Sequence, residues 1–89
     1  MAVEFTLFSR TYCHLCDDML AALQALQAEF LFTVRIEDVD ADPALVALYD
    51  ELVPVLVGRH AGVETRLCHY FLDEEGVRGF LRGAVATVA

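Results

Sequence analysis

A chain of 89 residues makes one modest core, burying on folding roughly 60–65% of the surface its unfolded form exposes. A composition that is 57% hydrophobic excludes a disordered chain, and it implies a layered α/β domain with both faces of its sheet covered. Six arginines, no lysine and 14 acidic residues give a formal net charge of -8, which excludes nucleic acid and anionic membrane surfaces as partners and favours proteins with basic docking surfaces.

Three cysteines are too few, and odd in number, for a secreted disulfide framework, so a reducing compartment is expected. The start Met1-Ala2-Val3-Glu4 has no basic stretch before an apolar core, and no apolar run approaches the roughly 18 residues of a membrane span. The expected location is therefore cytoplasmic. With no repeat, low-complexity tract or linker, residues 1–89 are expected to fold as one domain.

In chain order, Val3 to Ser9 alternates Val3, Phe5 and Leu7 against Glu4 and Thr6 and reads as a strand. From Cys13 to Phe30, Leu15, Met19, Leu23, Leu26 and Phe30 recur at helical spacing and form one apolar stripe. Leu31 to Ile36 reads as a second strand, ended by the acidic run Glu37-Asp38. Asp42-Pro43 starts a second helix that stops near Leu52. Val55-Leu56-Val57 is a short strand, Gly58 to Gly62 its turn, and Val63 to His69 its hairpin partner. Asp73-Glu74-Glu75 opens a last helix with Val77, Phe80, Leu81 and Ala84 on one face. The expected order is β-α-β-α-β-β-α, a four-stranded mixed sheet flanked by three helices, with the first two strands parallel and the last two an antiparallel hairpin.

The chemistry concentrates in Cys13-His14-Leu15-Cys16 at the start of the first helix. In such a pair the first sulfur sits beside unpaired backbone N–H groups that stabilise a thiolate, and the second lies one turn on, within reach for disulfide closure. Cys13 is then the nucleophile and Cys16 the residue that resolves a mixed disulfide by intramolecular attack. The competing use of the motif is metal binding, with Cys68-His69 and His14 or His60 completing a zinc site; zinc motifs usually announce a second pair, and here there is a single cysteine in a strand. Protonated His14 would stabilise a neighbouring thiolate, while its bland role is a solvated side chain; Asp17 and Asp18 oppose the thiolate but favour the helix. Tyr12 either stacks on a substrate or packs over the loop, and Arg10 either attracts an anion or is solvated. Cys68 reads as a small buried strand residue and His60 as an exposed turn residue. At Val53-Pro54, proline either ends the second helix or forms a cis bond that leaves the Val53 backbone free to pair with an extended substrate.

Phe8-Ser9-Arg10-Thr11-Tyr12-Cys13-His14-Leu15-Cys16 after a first strand, and Val53-Pro54-Val55-Leu56 before a third, resemble the thioredoxin superfamily and within it the glutaredoxin-like proteins. The resemblance spans nearly the whole chain. It implies disulfide reduction by Cys13 and Cys16, with Pro54 as a cis-proline beside them and Val53 as a backbone partner for glutathione or peptide, so Tyr12, His14, Val53 and Pro54 are the expected substrate-binding residues. Glutaredoxins usually carry Cys-Pro-Tyr-Cys and a glycine pair before the last helix, whereas this chain has Cys-His-Leu-Cys and Cys68-His69-Tyr70-Phe71-Leu72 before Asp73. Glutathione is the reductant the resemblance implies, and Asp73-Glu74-Glu75, set where its carboxylates would dock, argue against it. The expected protein is a monomeric thiol-disulfide oxidoreductase with no tightly bound cofactor or metal, acting on disulfide-containing proteins or small molecules and restored by a thiol reductant or reductase. The alternatives are a metal- or iron-sulfur-binding module that uses Cys13 and Cys16 as ligands, and a non-catalytic adaptor.

Overall fold

The structure, a computed structural model, describes residues 2–84 and 86; Met1, Val85 and residues 87–89 lie outside the described residues. Seven elements follow one another: β1 (Glu4–Ser9), α1 (His14–Ala25), β2 (Thr33–Asp38), α2 (Pro43–Tyr49), β3 (Val55–His60), β4 (Val63–His69) and α3 (Glu74–Gly83). The sheet order is β2-β1-β3-β4. β1 pairs parallel with β2 (Phe5 opposite Val34) and antiparallel with β3 (Phe5 opposite Gly58), and β3 pairs antiparallel with β4. This is the four-stranded mixed sheet and three-helix complement expected from the pattern.

The alternation in β1 sorts its residues by face. Phe5 and Leu7 are 0% and 1% exposed and, with Val3, meet Met19, Leu23 and Leu26 from the first helical stretch and Val77 and Leu81 from α3 in one core cluster. The Phe5 ring sits edge-on to Phe32, centroids 5.0 Å apart, and tilted against Phe80 at 5.9 Å. The opposite face is covered at its centre and open at its edge: Val55 and Val57, across from Phe8 and Thr6, are buried there. The short α2, which has no buried residue, packs there through Tyr49 on Phe8 at 4.8 Å, while Glu64 and Arg66 of β4 stand exposed. Seven residues of helix shield one end of the face and leave its edges to solvent-compatible side chains.

Several boundaries differ from the sequence reading. The α-helix that starts at His14 stops at Ala25, and Leu26–Ala28 tighten into a 3-10 turn that still buries Leu26, with Phe30 buried just beyond. β2 begins at Thr33 rather than Leu31, because the Leu31 N–H donates to the carbonyl of Ala86 instead of to β1. It continues through Glu37 and Asp38, since a parallel ladder pairs backbone whatever the charge of solvated side chains on an edge strand. α2 ends at Tyr49, three residues before Leu52.

The largest shift is at Gly58, which lies inside β3 and not in the turn. A Cβ there would come 2.8 Å from the Phe80 ring, so glycine marks a close approach of α3 to the sheet. The turn is the two-residue Ala61-Gly62, both with positive φ (55° and 79°), the backbone hand that matches hairpin twist. Gly58→Ala is expected to destabilise by about 1–3 kcal/mol through that overlap, whereas Gly79→Ala in α3, with nothing within 4 Å of the new Cβ, should stabilise by roughly 0.5–1 kcal/mol. Urea melts of the two variants check the pair, and a neutral Gly58→Ala would contradict the packing described.

Among the described residues no helix is long and apolar enough to cross a membrane.

Candidate functional site

β1 ends at Ser9, and residues 10–13 carry the chain over the end of the sheet into α1. Tyr12 takes a left-handed backbone (φ 58°) and is fully exposed, at 101%. The turn sets Cys13 at the helix N-cap in an extended conformation, φ -112° and ψ 105°. Its Sγ accepts the Cys16 N–H at 3.1 Å, the bond a serine or aspartate oxygen makes at ordinary helix starts. The two sulfurs are joined, with Cα atoms 5.2 Å apart, and the pair is asymmetric: Cys16 is 4% exposed while Cys13 is half-buried. An attacking or attacked sulfur is therefore reached from solvent at Cys13. A negative charge on that sulfur is stabilised by the N–H it already holds and by the positive end of α1. His14, at the first helical position, is exposed.

β3 enters from this same end. The Val53-Pro54 bond is cis, Pro54 is buried, and Val53 is half-buried with its backbone N–H and carbonyl in no hydrogen bond among the described residues. The Pro54 carbonyl accepts the Tyr70 N–H at 3.0 Å, and the Tyr70 hydroxyl donates to the Glu51 carbonyl. Tyr70, with φ 63°, thus clips the segment after β4 to the loop before β3.

Arg10 is neither a free cation nor merely solvated. Its guanidinium donates from Nε and Nη2 to Asp40 at 2.9 Å each and from Nη2 to Asp50 at 2.7 Å, tying the ends of β1 and α2 together. These two carboxylates hold its pKa above the usual arginine value. Arg78 plays a similar part on α3, bonded to Glu29 and Glu74, and the hydrogen bond from Arg78 lowers the Glu29 pKa.

Cys68 lies opposite Leu56 in the ladder, half-buried, and burial pushes its thiol up. Among the described residues no group of three or more His, Cys, Asp or Glu side chains is arranged to hold a metal ion. His60 is half-buried beside the β3–β4 turn rather than exposed, at the far end of the sheet from Cys13. In the fully reduced protein, iodoacetamide is expected to modify Cys13 about tenfold or more faster than Cys68 or Cys16, from exposure and thiolate stabilisation together. Peptide mass mapping at short times reads the order, and Cys68 reacting first would contradict it.

The sequence reading brings Tyr12, Cys13, His14 and Cys16 together on one turn and Val53 and Pro54 on the adjoining loop, and it missed Tyr70 and the Arg10 clip. The signal for the first was an aromatic pair, Tyr70-Phe71, between a strand and a helix start.

A cysteine pair capping the first helix, with a cis-proline loop entering the third strand of a β-α-β-α-β-β-α sheet, defines a thioredoxin-fold protein. Comparison with known proteins agrees. The model of the Glutaredoxin-like domain (DUF836) family matches residues 4–82, and the chain belongs to that family. Its structure is similar to the solution structure of protein Ne2328 from Nitrosomonas europaea, at 33% identity over 91% of this chain and 93% of that one, with a TM-score of 0.81. It is also similar to protein XcR50 from X. campestris, at 33% identity over 90% and 97% of the two chains and a TM-score of 0.64. Fasciola hepatica thioredoxin, at 18% identity over 93% and 81% and a TM-score of 0.62, shares the fold. No curated protein sequence matches the chain.

Proposed function

We propose that the protein is a thiol-disulfide oxidoreductase that reduces disulfides through Cys13 and Cys16. The observation that carries this reading is the asymmetric pair: a solvent-reachable Cys13 whose sulfur is the helix cap acceptor, bonded to a buried Cys16. In the dithiol form the Cys13 thiolate attacks one sulfur of a substrate disulfide, forming a Cys13 mixed disulfide and expelling the other sulfur as thiolate. Cys16 then loses its proton and attacks Cys13 Sγ, closing the intramolecular bond and releasing the second substrate thiol. Two electrons pass from protein to substrate, and an external thiol, glutathione or a dithiol protein, returns them. Tyr12 and His14 flank the attacking sulfur, and the unpaired backbone of Val53 beside Pro54 offers an edge on which an extended substrate segment can pair. The chemistry suits a reducing compartment such as the cytoplasm.

Titration of the purified protein in glutathione and dithiothreitol redox buffers, with the Cys13-Cys16 bond read by mass spectrometry and Cys13→Ser as control, tests the reading. A reversible two-electron transition lost in the variant is the expected result. Failure of the bond to form in any buffer overturns the proposal.

A further inference from the structure

We propose that the substrate is a polypeptide with basic residues beside its disulfide, and that glutathione disulfide is poorly used. This rests on the dithiol reading above and names the substrate class of that site.

Two observations carry it. The first is charge. The segments that meet at the Cys13 end of the sheet are residues 9–18, 38–42, 50–54 and 69–75, and they hold most of the chain's acidic residues and a single arginine, Arg10. That arginine is already matched by two carboxylates, Asp40 and Asp50. Asp17, Asp18, Glu51 and Glu75 remain exposed and in no ion pair among the described residues. The field around the reacting sulfur is therefore negative, and it draws cationic groups in while repelling glutathione disulfide, whose carboxylates outnumber its amines.

The second is the aromatic rim. Tyr12 is 101%, Phe71 69% and Tyr70 40% exposed, on the two segments that flank the cysteines and the Pro54 loop. Tyr70 is fastened by its bonds to Pro54 and Glu51, so its ring is presented rather than loose. Exposed rings held in place gain free energy when a macromolecular surface covers them, and aromatic anchors inside a charged border are the usual composition of a protein interface. A partner with apolar side chains at its disulfide and basic ones around it complements both features.

The test uses the prereduced protein in single-turnover reactions with two synthetic peptides of equal length, each closed by a disulfide. One is flanked by arginines, the other by glutamates, and glutathione disulfide is the third substrate. Rates are divided by those of dithiothreitol, a small reductant without a docking surface, to remove the peptides' intrinsic reactivity, with all reactions at one fixed pH. At about 0.01 M ionic strength, where the Debye length is about 30 Å, the arginine peptide is expected to react about tenfold or more faster than the glutamate peptide. Near 1 M salt, with a Debye length of about 3 Å, the difference should nearly vanish. The triple variant Asp18→Asn, Glu51→Gln, Glu75→Gln is expected to lose several-fold of the low-salt preference. Phe71→Ser should slow both peptides several-fold at low and at high salt, since the rim's contribution is apolar. Equal normalised rates for the three substrates at low salt overturn the inference while leaving the dithiol reading intact. Failure to reduce any of them, with no Cys13-Cys16 transition in redox buffers, overturns the dithiol reading itself.

Discussion

Cys16→Ser is expected to turn the protein into a covalent trap. With Cys13 half-buried and Cys16 almost fully buried, an incoming disulfide meets Cys13, and the only sulfur one helical turn away that can release the mixed disulfide has been replaced by a hydroxyl. Turnover should fall by at least about a hundredfold, and intact-protein mass spectrometry should show the chain carrying one substrate thiol. Cys13→Ser is expected to lose at least about a thousandfold and to carry nothing, because the attacking sulfur is gone and Cys16 is shielded from solvent. The asymmetry between the variants is the informative result. If the adduct accumulated on Cys13→Ser instead, the roles of the two cysteines would be reversed.

The second large effect is on stability. Phe5 is fully buried at the centre of the sheet, edge-on to Phe32 and against Phe80, with α1 and α3 closing over it. Truncation removes the ring and leaves a cavity that two helices and a sheet cannot collapse, so Phe5→Ala should cost about 3–5 kcal/mol. Against a total of roughly 5–15 kcal/mol for a small domain this is a large fraction, and thermal melting should shift downward by roughly 20 °C. Phe5→Leu keeps most of the volume and should cost less than about 1.5 kcal/mol. Near-equal melting temperatures for the two variants would show that the ring contacts contribute little.

Element order and the cysteine pair were legible because each rests on a local signal. Alternation in Val3 to Ser9, the apolar stripe from Leu15 to Leu26 and the Asp42-Pro43 start each follow from backbone geometry within a few residues. The misreadings involve partners distant in sequence. Gly58 looks like a turn residue until the Phe80 ring, 22 positions on, is seen to need its missing side chain. Leu31 looks like strand until its amide is claimed by Ala86. Which of its two readings Arg10 follows depends on Asp40 and Asp50, which lie 30 and 40 residues away and meet it only in the folded chain. The isomer at Val53-Pro54 was a question the sequence could pose, and the assembled loop answers it. The partners of Tyr70, Pro54 and Glu51, likewise come from an earlier loop and meet it only in the folded chain.

The sulfur that caps α1 is also the atom that would change chemical state in the proposed reaction. A thiolate accepts the Cys16 N–H more strongly than a disulfide sulfur does, because its charge is localised and faces the helix end. In the proposed cycle each turnover would therefore loosen and tighten the first turn of α1 through a single hydrogen bond. The amide proton of residue 16 would then serve as an internal gauge of oxidation state, its NMR shift and exchange rate expected to move with the redox couple even where the rest of the backbone stays still.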